Sequence, residues 1–416
     1  MSPVRVLAVV VLAAACSSPD ALDGWPAELV TRSPTSQPGL IGYSVNDLPA
    51  VQLLDSDGKP MVGVDITFAT TVGGGSVSGV ATTGTNGVAT VGAWSVGLGA
   101  NQVTATIPAP FRVPPVTFSA NGVAPAYNIA VSFMTAVSPT RQAVFDTAAA
   151  RWQRLIYGDV PDAFLTGVPP GACAGFGASV DNTTVDDLRI LADLDSIDGP
   201  GAILGFAGFC IFRSTGKLPV VGVMVFDTAD VANLESLGLF DEVIMHEMGH
   251  VLGFGTIWGS GFLNVLVGAG GGDPYFSGAN ARATFDRIGG ASYTGGGKVP
   301  VENCCGPGTR DSHWRETAFT HPLAPGVTTS ELMTGFLNAN GPNPLSAVTI
   351  ASLRDEGYLT NYAAADSFTV SFGAAQAPPA AGATPTAGRI ALGDDILRMP
   401  IYAVDGRGRL TLVWRP

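Results

Sequence analysis

Residues 246–253 read His-Glu-Met-Gly-His-Val-Leu-Gly, and no other run in the chain limits the local fold as tightly. Two histidines four apart share one face only if the stretch is helical, which predicts a helix over roughly Phe240 to Gly253. The 416 residues include only four histidines, His246, His250, His313 and His321, and eight glutamates. Shuffling that composition would produce His-Glu-x-x-His about once in two thousand sequences, so the pattern carries chemistry. On one helical face both imidazoles can reach a single Zn²⁺ at about 2.0–2.1 Å, leaving Glu247 beside them to move protons to and from an activated water. A catalytic zinc usually has three protein ligands and one open position, so another ligand must come from elsewhere. Gly253 allows a sharp turn after the helix that can bring one in. On spacing alone, His313 and His321 are equal candidates.

The remaining sequence divides by pattern. The 54 glycines and 30 prolines, against 13% charged residues, point to many turns and short strands. Residues 16–35 are polar and proline-containing, as expected of a tether after a signal peptide at 1–15. From 36 to 123, Val64-x-Ile66-x-Phe68 and Val103-x-Ala105-x-Ile107 alternate with period two between turn-rich segments, which predicts an all-β sandwich. From 125 to 366 the pattern becomes mixed α and β. Ile129, Val131 and Phe133 alternate as a strand, and Ser138-Pro139 opens a helix with Phe145, Ala148, Ala149, Trp152 and Ile156 at helical spacing. Leu218–Phe226 reads as a buried strand, and Ser346–Glu356 as a helix closed by Gly357. In the last segment, 367–416, a low-complexity run at 373–388 is expected to be flexible and is followed by a hairpin turning at Asp405-Gly406.

Two resemblances sharpen this outline. Asp57-Gly58-Lys59-Pro60, Gly73-Gly74-Gly75 and Asn86-Gly87-Val88-Ala89 resemble the turns of bacterial immunoglobulin-like domains in intimin- and invasin-type surface proteins. That likeness implies a spacer or adhesion module without chemistry of its own. His246-Glu247-x-x-His250-x-x-Gly253 is similar to the metzincin pattern, but the position of its usual third histidine holds Thr256. A long insertion at this point, together with HEMGHVLGF at 246–254, Ser312-His313-Trp314, Glu331-Leu332-Met333-Thr334-Gly335 and IASLRDEGY, resembles the leishmanolysin-like peptidases over roughly residues 127–366. The resemblance implies an α+β metzincin-like domain with one Zn²⁺ per chain on His246, His250 and His313, a Met-turn at Met333, and Glu247 as general base. The function it implies is a zinc metalloendopeptidase acting on extracellular proteins or peptides. Family members usually carry a pro-segment before the catalytic domain, a place the immunoglobulin-like region takes here.

Several segments support more than one reading. Met1–Arg5 and the ten apolar residues Val6–Ala15 form an export signal too short to span a bilayer. Cys16 follows it and resembles the acylated cysteine of bacterial lipoproteins, although the expected leucine sits one place early, at Leu12. The expected location is the cell envelope or surface through a lipid on Cys16, with free secretion as the other outcome. A net charge of −13 disfavours nucleic-acid partners. Cys173 and Cys210 are the preferred disulfide pair, while Cys304-Cys305 reads equally well as two free thiols. Residues 203–208 read as an ordinary glycine-containing strand or loop, or as an edge strand that pairs with substrate. Asp193, Asp195 and Asp198 lack EF-hand spacing and read as turn residues. The competing functions are an adhesion or binding protein with an inactive protease-like domain, and a structural zinc that recruits Cys304-Cys305.

Overall fold

The computed structural model describes residues 24–324, 327–370 and 389–416. The export signal, Cys16 and the run 373–388 lie outside the described residues. Two compact units emerge, one holding residues up to Gln37, Asp47–Ser95 and Ala100–Ala120, the other Pro38–Asn46, Val96–Gly99 and Asn121 onward.

The N-terminal strands form a three-stranded sheet in the order Pro26–Thr31, Ala50–Asp55, Val88–Thr90. A five-stranded sheet runs Ser36–Leu40, Val116–Val123, Gly99–Thr106, Asp65–Val72, Val80–Thr82. Period-two alternation does what it predicts: Ile66, Phe68, Val103 and Ala105 are buried, and their sequence neighbours face outward.

The larger unit is built on a six-stranded sheet, with β1 (Ile129–Phe133), β2 (Leu188–Asp195), β3 (Gly205–Arg213), β4 (Pro219–Asp227), β5 (Ile401–Val404) and β6 (Leu410–Trp414) in the spatial order β1-β2-β4-β3-β5-β6. β1 and β2 run parallel to β4, β3 is antiparallel to it, and β5 is parallel to β3. Every residue of β4 is buried, which is why Leu218–Phe226 reads as a continuous apolar run without alternation. The C-terminal hairpin therefore belongs to this sheet and is no detached tail. A disulfide joins Cys173 to Cys210, and a second joins the neighbours Cys304 and Cys305, where two free thiols were the equal expectation.

Helix α1 (Pro139–Leu155) is capped by Ser138 and buries Phe145, Ala148, Ala149, Trp152 and Leu155. Helix α2 (Thr228–Leu237) starts at Asp227, whose carboxylate also accepts the backbone N–H groups of Asp198 and Gly199. Asp198 thus sits in a loop held from the end of β4, as a turn residue should. Helix α3 (Phe240–Leu252) carries the paired histidines across the sheet, and helix α4 (Ala347–Glu356) ends at Gly357 with φ 119°. Among the described residues no helix is long and apolar enough to cross a membrane.

α3 lies close on β4 because Gly222 has no side chain. A Cβ there would stand 2.2 Å from Val251 Cγ1. Gly222→Ala is therefore expected to lower stability by about 1–3 kcal/mol in urea unfolding, through overpacking beneath the helix. Gly259→Ala, whose Cβ would meet nothing within 4 Å, is the control, and equal stability of the two variants would rule out this packing.

Candidate metal centre

Helical geometry places His246 and His250 one turn apart on α3, facing the interior, and both are fully buried. The helix closes at Gly253, whose φ of 126° favours glycine, with Phe254 N–H donating to Gly249 O at 3.0 Å. Two residues on, Gly255 (φ 74°) admits a second close passage, since a Cβ there would lie 2.2 Å from Ser312 O. This passage brings the next residue, His313, under the end of α3. Trp314 N–H donates to Met333 O at 3.0 Å, and its indole N–H donates to Thr349 Oγ1 at 2.8 Å on α4. The Trp314 ring is buried between Phe254 and Phe319.

The three imidazoles meet at their Nε2 atoms, which are 2.9–3.0 Å apart. Each Nδ1 is directed at a backbone carbonyl: His246 at Leu332 O (2.7 Å), His250 at Phe254 O (2.9 Å) and His313 at Thr309 O (3.1 Å). These contacts assign the proton of each ring to Nδ1, so three Nε2 lone pairs point at one another. Lone pairs packed like this repel unless a cation lies among them. A triangle of that size has a circumradius of about 1.7 Å, shorter than the Zn–N distance of about 2.0–2.1 Å, so one point off its plane reaches all three nitrogens at bonding distance. The donor set fits zinc, with the carbonyl contacts orienting each ring.

Glu247 follows His246 on α3 and is fully buried, and neither of its carboxylate oxygens has a hydrogen-bond partner among the described residues. Burial, reinforced by the charge of Asp395, holds its carboxyl well above the ordinary range. Burial likewise pushes the His246 and His250 imidazoles down. At His313 burial acts in the same direction, but the Asp395 carboxylate outweighs it and leaves this imidazole raised. Burial would raise Asp395 as well, yet the imidazoles around it prevail and hold it well below the usual carboxylate range. Two carboxyl groups and three lone pairs sealed together form a donor set that a divalent cation could balance.

Asp395 is the member of this group that motif reading misses. Its Oδ2 lies 3.1 Å from His313 Nε2, 3.5 Å from His246 Nε2 and 4.0 Å from His250 Nε2, and it is fully buried. His246, His250, His313 and Asp395 can hold one ion together. The available signal was an acidic pair, Asp394-Asp395, set among Leu392, Ile396 and Leu397. Only Asp394 of that pair faces solvent, bridging Arg398.

The other candidates lie elsewhere. His321 is half-buried on the short strand Thr320–Ala324, its ring 5.5 Å from Phe368, and burial lowers its pKa. Cys304 and Cys305 are bonded to each other and contribute no ligand to the group. Met333 lies against α3 where Gly249 leaves room: a Cβ at Gly249 would be 2.6 Å from Met333 Cε. Glu331 anchors this turn, accepting from Met333 N (2.6 Å), Ser346 N and Oγ (both 2.9 Å) and Thr349 Oγ1 (2.5 Å). The neighbouring carbonyl, Leu332 O, orients His246, so the turn both underlies the histidines and aligns one of them.

The leishmanolysin family model matches residues 166–375, half of the chain, and ends before Asp395. Two solved structures show limited likeness. The D00-D0 domain of intimin is 19% identical (TM-score 0.18) and the D0-D1 domain of intimin 26% identical (TM-score 0.16). Each alignment covers 22% of this chain and 45% of the solved chain, so less than half of either intimin fragment is spanned. No curated protein matches.

Glu331 supplies a pH signature. Burial lifts its carboxyl from 4.5 to about 7, against the hydrogen bonds from Thr349, Ser346 and Met333. Because the folded-state value is the higher one, the stability tied to the protonated form is fully present below 4.5 and is lost as pH rises through about 7. Between about pH 5 and about pH 8 the protein should lose roughly 2–3 kcal/mol that Glu331→Gln does not lose. Equal losses in urea titrations of the two proteins would contradict this account.

Proposed function

Since the chain belongs to the leishmanolysin family of metallopeptidases, we propose that it is a zinc-dependent endopeptidase with His246, His250 and His313 as metal ligands and Glu247 as general base. The observation that carries the reading is the convergence of three Nε2 lone pairs, each ring fixed by a carbonyl, beside a buried carboxyl group with no protein partner. Zinc at that point would supply Lewis acidity, polarising a scissile carbonyl and lowering the pKa of a water. Glu247 takes the proton at a carboxylate oxygen and returns it to the departing amide nitrogen, and its burial raises its affinity for that proton. Met333 and Glu331 hold the floor and keep His246 in register. The substrates are proteins or peptides met outside the cell, reached through export signalled by residues 1–15 and retention through a lipid on Cys16. The immunoglobulin-like region serves as spacer or adhesive module.

One observation favours a second reading. Four protein groups around a metal are the mark of a structural site, and Asp395 makes a fourth. On that reading the chain is a binding protein that does not turn over.

Purified protein should hold about one zinc per chain, and His313→Ala should weaken metal affinity by about 100-fold or more, measured by competition with a chelating dye. Glu247→Ala should retain the metal and remove any peptide cleavage. Metal-free wild-type protein, or cleavage persisting in Glu247→Ala, would refute the assignment.

A further inference from the structure

The segment that carries Asp395 also occupies the flank of the sheet where a peptide substrate would bind. Residues 392–399 pass between the start of β3 and the loop that carries His313. On the β3 side, Ala207 N–H donates to Asp395 O at 2.8 Å, and Leu397 N–H donates to Ala207 O at 2.8 Å. Ile396 is thus paired parallel to Ala207. Both backbone groups that Ala207 turns toward this flank are therefore used. Gly208 allows the approach, since a Cβ there would lie 3.1 Å from Leu397 O. On the His313 side, Thr309 Oγ1 donates to Gly393 O at 3.0 Å, and a Cβ on Gly308 would be 2.3 Å from Asp394 Oδ1. Leu392 and Asp395 are fully buried, and Met399 is nearly so.

A peptidase needs an unpaired strand edge for the substrate backbone and an open coordination position for its carbonyl and water. Here one run of chain fills both. Its backbone is also unsuited to being cut. The Asp395 carbonyl faces Ala207, and it is the side-chain carboxylate that faces the histidines, so the Asp395 peptide carbonyl is turned away from where a metal would polarise it.

We propose that residues 392–399 are a built-in inhibitor of the metal centre: Asp395 takes the fourth position on the ion held by His246, His250 and His313, and residues 395–397 occupy the substrate's place along β3. The proposal rests on the endopeptidase reading above. The full-length chain is latent, and it becomes competent when this run leaves the edge of β3. Competition favours the tethered run. A segment of the same chain acts at an effective concentration on the order of millimolar, at or above the range of about 1 μM–1 mM over which peptidases bind substrate. Under this proposal the closed, four-group arrangement is a reversible state of a catalytic site.

The test uses the full-length chain loaded with Co²⁺, whose visible spectrum reports the ligands, and acetohydroxamate as a probe for an open coordination position. Wild-type protein should bind one Co²⁺ and show a spectrum insensitive to acetohydroxamate. Asp395→Ala and the near-isosteric Asp395→Asn should keep the metal and bind acetohydroxamate roughly tenfold more tightly or better, with cleavage of denatured casein by the zinc form rising by a similar factor. Leu397→Pro removes the N–H that reaches Ala207 O while leaving Asp395 in place, and it should shift hydroxamate binding in the same direction. Equal acetohydroxamate binding by wild type and both Asp395 variants would overturn the proposal. Loss of Co²⁺ from both variants would also overturn it, because Asp395 would then be an integral ligand. If the Asp395 variants bind metal and acetohydroxamate yet cleave nothing, hydrolysis is refuted while the place of Asp395 on the ion is supported.

Discussion

Three imidazole nitrogens, each with its lone pair aimed at the other two, form the constraint around which the larger unit is organised. Such an arrangement is costly without a cation, and it exists because three backbone carbonyls, from Leu332, Phe254 and Thr309, hold the opposite nitrogens. Those carbonyls come from three separate parts of the chain. The closing turn of α3, the loop before Trp314 and the turn at Met333 must therefore all be placed together for the three rings to converge. Burial adds to the demand, because the histidines, Glu247 and Asp395 are all sealed from water, and a bound ion would balance them.

Glycines and one glutamate meet that demand. Gly222 brings α3 down on β4, Gly249 makes room for Met333, and Gly255 lets the chain before His313 pass beneath the helix end. Each removes a side chain at a point of contact, so the positions of α3, Met333 and His313 are fixed by close packing. Glu331 then ties the Met333 turn to α4 through Ser346 and Thr349. The glutamate acts on the histidines indirectly, through the Leu332 carbonyl next to it.

The C-terminal strands give the sheet a dual character. β5 pairs beside β3 as an ordinary parallel strand, whereas the residues just before it pair with β3 near the histidines and carry a carboxylate to them. A strand edge that could accept another chain is here paired within the molecule. The same pairing that protects an exposed edge also controls access to the metal centre.

Much of this was legible in the linear chain. The helix over 240–252 and its glycine stop follow from period and conformational preference, as do the buried strand at 219–227 and the alternating strands of the N-terminal unit, because these signals are local. The choice between His313 and His321 needed motif context, since spacing alone treats them alike. The structure places His313 at the convergence and His321 on the strand Thr320–Ala324, its ring 5.5 Å from Phe368. Residues 203–208 read as easily as loop or strand, since Gly205 and Gly208 blur the pattern. Asp395 stands 82 residues beyond His313 and belongs to no motif, and Gly255 owes its role to Ser312, far away in sequence. The sequence by itself determined which residues could form a helix bearing two histidines and a glutamate on neighbouring positions, because helical periodicity acts over a few residues. Only the tertiary structure brought His313 up to them and decided which carboxylate faces all three, because those contacts depend on how separate segments pack together.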